Sequence, residues 1–215
     1  MSIPLVHLAR AFLLRGGLDG GQLHFYRLWT DIRDGAMLMH RFTELVNRCA
    51  NFTLSSLNEV NDRTIDALQT SGATRLVKTL QMIQLQKAIM AVGMFSLFEA
   101  ILQDGLSCGD GFDEADKILD GEGQTALKEE FADYQKAINV LKHGRGRSYD
   151  ALVAKSANLP FKIKLPTEAL FSEGDVSEIS TLIEINDKFV LECARIIREV
   201  SEVVRRARPG ESFGV

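Results

Sequence analysis

Residues 5–159 contain no proline. Proline removes a backbone donor and clashes one turn back, so its absence permits long helices through most of this chain. Hydrophobic periodicity predicts where they run. Between 22 and 49, Phe25, Leu28, Ile32, Gly35, Met39, Phe42, Val46 and Cys49 recur at spacings of three and four, the stripe of one helix face. Gly35 lies on that stripe and suits close helix contact. Residues 73–104 form the longest apolar element. Leu76, Leu80, Ile83, Met90, Met94, Leu97 and Ile101 share a face there, widened by Phe95, Phe98 and Leu102, which predicts a central helix. Residues 124–143 carry a narrower stripe of Leu127, Phe131, Tyr134, Ile138 and Leu141.

The last helix is predicted over 176–207. Leu182, Phe189, Ile196 and Val203 recur every seven residues, with Ile183, Val190, Ile197 and Val204 beside them. Asn186, Cys193 and Val200 complete the seam. A seven-residue repeat implies lengthwise packing on a partner helix, and it makes Asn186 either a buried registry residue, the favoured reading, or a functional one. Asp175 followed by Glu178 is the expected start signal.

Glycines and acids punctuate the rest. "GGLDGG" at 16–21 reads as a flexible turn, and 104–123 as a long connection with a short helix at 113–119. "LPFKIKLP" at 159–166 alternates apolar and basic residues between prolines, as an edge strand does. The expected fold is all-α: an up-and-down helical bundle of four to five long helices with one short β-strand or hairpin near 159–172. Residues 1–208 make a single domain, followed by a flexible tail at 209–215.

Composition narrows the function classes. With 46% hydrophobic and 25% charged residues over 215 positions, the chain is an ordinary globular one, not a disordered one. Its net charge of −4 gives no overall field for nucleic acid, so polyanion binding requires a local basic patch. Cys49, Cys108 and Cys193 form no C-x-x-C pair, which fits small buried thiols in a reducing, cytoplasmic setting. The N-terminal "MSIPLVHLARAFLLRGG" is broken by Pro4, His7 and Arg10, unlike a signal peptide. The most apolar window, 88–102, contains Glu99 and falls short of the roughly 20 residues of a membrane span. It reads as a buried core helix, with no membrane partner.

Metal chemistry finds no pattern. His7, His24, His40 and His143 lack a Glu three residues earlier, and no H-E-x-x-H or Cys/His cluster occurs. Asp104, Asp110, Asp113, Glu114 and Asp116 lack the ligand order of a calcium loop. No metal and no cofactor are therefore expected. "GRGRS" at 144–148 begins like a dinucleotide fingerprint, but Tyr149 follows and a helix, not a strand, precedes it. Walker A and G-x-S-x-G sequences are absent.

"INVLKHGRGRSYDAL" at 138–152 is the exception. At about 100° per residue, Asn139 points about 120° from the centre of the 127–141 stripe, His143 about 160° and Lys136 about 180°. These three share the polar face, and Asn139 and His143 form an i, i+4 pair able to touch. Lys142 lies about 60° off the stripe and points elsewhere. Gly144 is placed to end the helix with positive φ. Ser148 would cap a following helix, with Arg145 and Arg147 flanking its N-terminus. Free backbone donors, two guanidiniums and Lys142 nearby suit a phosphate. The same residues also fit an ordinary helix end, where basic side chains complement the dipole and glycine caps.

An all-helical chain with a late helix ending in "N-x-x-K-H-G" and a basic turn resembles the HEPN superfamily over roughly 75–205. Members are helical proteins of prokaryotic toxin–antitoxin and phage-defence systems, among other settings. Many are metal-independent ribonucleases with an Arg, often followed by Asn, and a His four to six residues on. They are typically homodimers in which two such helices face each other. The resemblance makes Asn139 the polar motif residue and His143 the catalytic histidine, handling the proton of a ribose 2′-hydroxyl or of the leaving oxygen. The motif arginine would fall at Ile138, so the cationic role passes to Lys136, Arg145 or Arg147. Arg33 with His40 gives a second, chance-level fit. The implied partners are RNA, a second copy and an antitoxin or other protein. Two other readings stay open: a non-enzymatic interaction protein pairing through 182–204, and a small-ligand protein with its site between the long helices.

Overall fold

A computed structural model describes residues 35–169 and 175–209, with side chains from Phe42 onward. The expected turn at 16–21, the stripe before Gly35, the Arg33–His40 fit, His7, His24 and the tail beyond Pro209 lie outside the described residues. Six helices are described: α1 (Gly35–Leu68), α2 (Thr74–Gly105), α3 (Gly111–Gly121), α4 (Thr125–His143), α5 (Arg147–Ala154) and α6 (Asp187–Ala207). A single 3₁₀ turn, Ser156–Asn158, follows α5. The described chain is all-α.

The helix ends follow local chemistry. Asp110 caps α3 by accepting from the N–H groups of Phe112 and Asp113 at 3.1 and 3.0 Å. Gly111, the first residue of α3, lies so close to α2 that a Cβ there would stand 2.7 Å from the Glu99 carbonyl oxygen. α1 continues past Cys49 to Leu68. Its inward line there includes Ala50, Leu54 and Thr64, too mixed to give a clear apolar period.

The last helix departs from expectation. α6 begins at Asp187, and Asn186 is its exposed N-cap, accepting from the Phe189 N–H at 2.9 Å. Asn186 is therefore not a buried registry residue. Asp175 binds the hydroxyl and N–H of Ser177 in a local turn, well before α6. Residues 182–185 are extended, with Ile183 and Ile185 buried and Glu184 exposed. The seven-residue repeat reached back into this segment through Leu182 and Ile183, which match the helical phase by accident; Ile185 lies outside the repeat.

No strand occurs among the described residues. At 159–166 the predicted alternation is realised as one antiparallel bridge, Ile163 to Ile183. The Lys164 N–H donates to the Leu182 carbonyl at 2.8 Å, and the Glu184 N–H to that of Lys162 at 3.0 Å.

The core lies where α6 meets α1, α2, α3 and α4. One aromatic group joins Phe95 and Phe98 of α2 to Phe112 of α3 and Phe131 of α4. A second joins Tyr134 and Phe189 to Phe161 beside the bridge. Arg195 of α6 binds Glu130 of α4 together with its own neighbours Glu192 and Glu199. Cys193 is buried, Cys108 half-buried and Cys49 exposed, so the thiols are not uniformly interior. Burial pushes the Cys193 thiol well up from its ordinary value.

α2 is apolar on both sides. Leu80, Ile83, Ala91, Phe95, Phe98 and Leu102 face the core. Met82, Leu85, Ile89 and Leu97 are 66%, 50%, 56% and 60% exposed, so Leu97 is not on the buried face. By length and composition α2 is able to cross a membrane, with 39% of its most apolar window buried. A core helix with one open apolar face passes the same test.

Candidate functional site at the α4–α5 junction

α4 ends in Lys142 and His143, and Gly144 follows with φ 73°. L side chains rarely adopt that backbone conformation, which is why glycine sits there. The Gly144 N–H donates to the Val140 carbonyl at 2.8 Å. The chain then turns through Arg145 and Gly146 into α5. Gly146 is the N-cap, and α5 starts at Arg147. Ser148 is thus the second residue of the helix and not its cap, because the glycine turn is short enough to start α5 early.

Gly146 has no side chain to occupy the first-turn donors. The N–H groups of Arg147, Ser148 and Tyr149 precede the first bond of the helix, from the Asp150 N–H to the Gly146 carbonyl at 3.0 Å. Arg147 places a cation at the positive end of the helix dipole, and Asp150 in the first turn offsets part of it. The Arg145 guanidinium lies over the Tyr149 ring, 5.4 Å from its centroid. That ring is buried and fixed, since the Tyr149 hydroxyl donates to the Lys164 carbonyl at 2.8 Å. A groove of about 260 Å³ adjoins this turn, lined by Val140, Leu141, Gly144, Arg145 and residues 180–182.

Asn139, Lys142, His143, Arg145 and Arg147 are all exposed. Asn139 and His143 are one helical turn apart, but no hydrogen bond joins their side chains. Lys136 is drawn away from them: its ammonium donates to the Ala132 carbonyl at 3.1 Å and lies 4.0 Å from the Asp133 carboxylate. Asp133 also pairs with Lys155, which follows α5. Lys136 thereby belongs to a charge cluster anchoring α4 to the end of α5. Ile138 is only 3% exposed. An arginine there would put its guanidinium among apolar core atoms.

Sequence reasoning did not single out Tyr149, Asp133 or Lys155. Tyr149 had a usable signal, an aromatic four residues after Arg145. Asp133 and Lys155 are 22 positions apart and carried no local signal. Among the described residues, no group of three or more His, Cys, Asp or Glu side chains is placed to hold a metal ion. A wider cleft of about 1330 Å³ lies beside the Ile163–Ile183 bridge, lined by Phe161, Lys164, Ile179 and Asn186 among others. It does not lie between the long helices, where the small-ligand alternative would have its site.

Compared with known proteins, the chain matches no family model, no curated protein and no solved structure.

Proposed function

We propose that this chain is a HEPN-like protein, an up-and-down helical bundle that binds RNA at the α4–α5 junction. Metal-independent endoribonuclease chemistry would centre on His143. The proposed setting is a cytoplasmic homodimer in a prokaryotic defence or toxin–antitoxin context. One observation carries the reading: an exposed histidine shares a short turn with Lys142, Arg145 and Arg147, beside uncapped donors at the start of α5. RNA phosphates bind such cations and donors.

In cleavage, the His143 imidazole would take the proton of the ribose 2′-hydroxyl as that oxygen attacks phosphorus. The bond to the 5′-oxygen breaks, that oxygen takes up a proton, and a cyclic phosphate remains. Imidazole suits proton transfer near neutral pH. Arg145 and Arg147 would stabilise charge on the phosphorane, because Lys136 is engaged by Asp133 and position 138 is core. Asn139 would orient a phosphate oxygen or the imidazole. An RNA-cleavage assay of the wild type against His143→Ala tests the chemistry. Loss of cleavage with retained RNA binding supports it, and equal cleavage by both excludes His143 as the catalyst.

A second reading, a non-enzymatic interaction protein, is favoured by the open apolar face of α2. It does not use the 182–204 seam. Ile183, Phe189, Val190, Cys193, Ile196, Ile197, Val200, Val203 and Val204 are buried within the chain itself.

A further inference from the structure

We infer that the outward face of α2 is a self-recognition surface, on which a second copy of this chain docks its own α2 antiparallel. The inference stands apart from whatever the α4–α5 junction binds.

The face opposite the core comprises Lys78, Met82, Leu85, Ile89, Gly93, Leu97, Ala100 and Asp104. At about 100° per residue these positions stay within about 60° of one line along the helix. All are exposed except Gly93, which is half-buried. Among the described residues beyond its own helical turn, nothing lies within 4 Å of where a Gly93 Cβ would be. No described neighbour therefore requires a glycine at this position.

The order of residues on this face is complementary to its own reverse. Two antiparallel copies related by a two-fold axis level with Ala91 bring Ile89 opposite Gly93 and Leu85 opposite Leu97. Further out, Met82 meets Ala100, and Lys78 meets Asp104. Each pair is centred on the same residue. The largest β-branched side chain of the face meets its only glycine, and the longest apolar side chain meets alanine. That is how two helices interlock closely. The outermost pair has opposite charges at both ends, as a two-fold requires. A parallel arrangement would set Lys78 beside Lys78 and Asp104 beside Asp104. Among the described residues, neither Lys78 nor Asp104 has a side-chain hydrogen bond or ion pair. The same contact also covers the apolar area that otherwise makes α2 resemble a membrane helix.

Sedimentation equilibrium of the full-length protein tests this, with four variants. The wild type is expected to be a dimer. Lys78→Asp places two like-charge pairs at the ends and weakens association about tenfold. Lys78→Asp combined with Asp104→Lys restores the pairs and most of the affinity. Leu85→Glu weakens association about a hundredfold or more. Gly93→Leu fills the space reserved for Ile89 and weakens the dimer, while the monomer keeps its circular dichroism and thermal midpoint. A monomeric wild type overturns the inference. So does a dimer untouched by Leu85→Glu and Gly93→Leu, which would place the contact elsewhere, for example on α4. Failure of the double charge exchange to restore affinity overturns the antiparallel register. Binding of the wild type to phospholipid vesicles in place of self-association overturns the choice of occupant.

Discussion

The Lys87 ammonium of α2 lies 2.7 Å from the carboxylate of Asp187, the first residue of α6. Asn58 of α1 donates to the other oxygen of that carboxylate, also at 2.7 Å. One carboxylate thus ties together three helices. Lys87 is 9% exposed and Asp187 35%, so the lysine depends on the pair more than the aspartate does.

Asp187→Ala leaves a buried ammonium without its partner. We expect a loss of about 3 kcal/mol, the low end for breaking a buried pair, since Asp187 is partly solvated. Replacing both residues, Lys87→Met with Asp187→Asn, should cost less than the single change. Urea denaturation compares them.

The same carboxylate makes stability depend on pH. Burial opposes ionisation of Asp187, but the hydrogen bonds from Lys87 and Asn58 outweigh it and hold the carboxyl below its ordinary value. A depressed carboxylate contributes stability that is fully present above its unfolded value and is lost as pH falls through the folded one. The stability gap between wild type and Asp187→Asn should therefore be constant near neutrality and shrink below about pH 4. Denaturation midpoints measured from pH 7 to pH 2.5 would show a pH-independent gap if the pair were not formed.

Gly111→Ala should destabilise by about 2 kcal/mol, because the new methyl meets the backbone of α2 and not a flexible side chain. Gly121→Ala, with nothing within 4 Å, serves as the control and should be neutral or slightly stabilising. Thermal unfolding separates the two.

Asn186→Ala removes the α6 cap and should cost about 1 kcal/mol, while Asn186→Asp should keep most of the stability. A registry residue inside a seam would respond differently, since a change to an apolar residue there would stabilise. Chemical denaturation of Asn186→Leu decides the sign.

Arg145→Ala with Arg147→Ala should weaken RNA binding and lower the salt dependence by roughly one to two released counterions, if both side chains meet phosphates. Ile138→Arg, which completes the family-like motif in sequence, should instead destabilise the protein by a few kcal/mol by burying an unpaired charge. Titration across ionic strength and a melting curve read these out.

Much of the helical layout was legible in the sequence, because stripes such as Phe131, Tyr134 and Ile138 report directly which face is buried. The bounds of α2, α3 and α4 lie within a few residues of those expected. The start of α6 was not legible. Ile183 is buried for a reason unrelated to helical phase, its bridge to Ile163, and a repeat count cannot tell the two causes apart. Leu97 was misplaced because α2 is apolar nearly all round, so periodicity fixes no single inward side. At the candidate site, the exposure of Asn139 and His143 and the positive φ of Gly144 followed from local rules. The capture of Lys136 by Asp133, and of Asp133 by Lys155, depends on how α5 returns toward α4, which no local pattern carries.

The bridge between Ile163 and Ile183 closes the chain between them into a loop with a fixed base. Tyr149 grips one side of that base through Lys164, and Asn186 starts α6 just beyond the other. Because the base is pinned, lengthening the loop costs only a slowly growing closure entropy. An insertion between the two isoleucines is therefore expected to leave α6 in place along its neighbours, since the α6 cap lies beyond the bridge. This makes the segment the natural place for a flexible tag or reporter insertion that leaves the rest of the molecule in register.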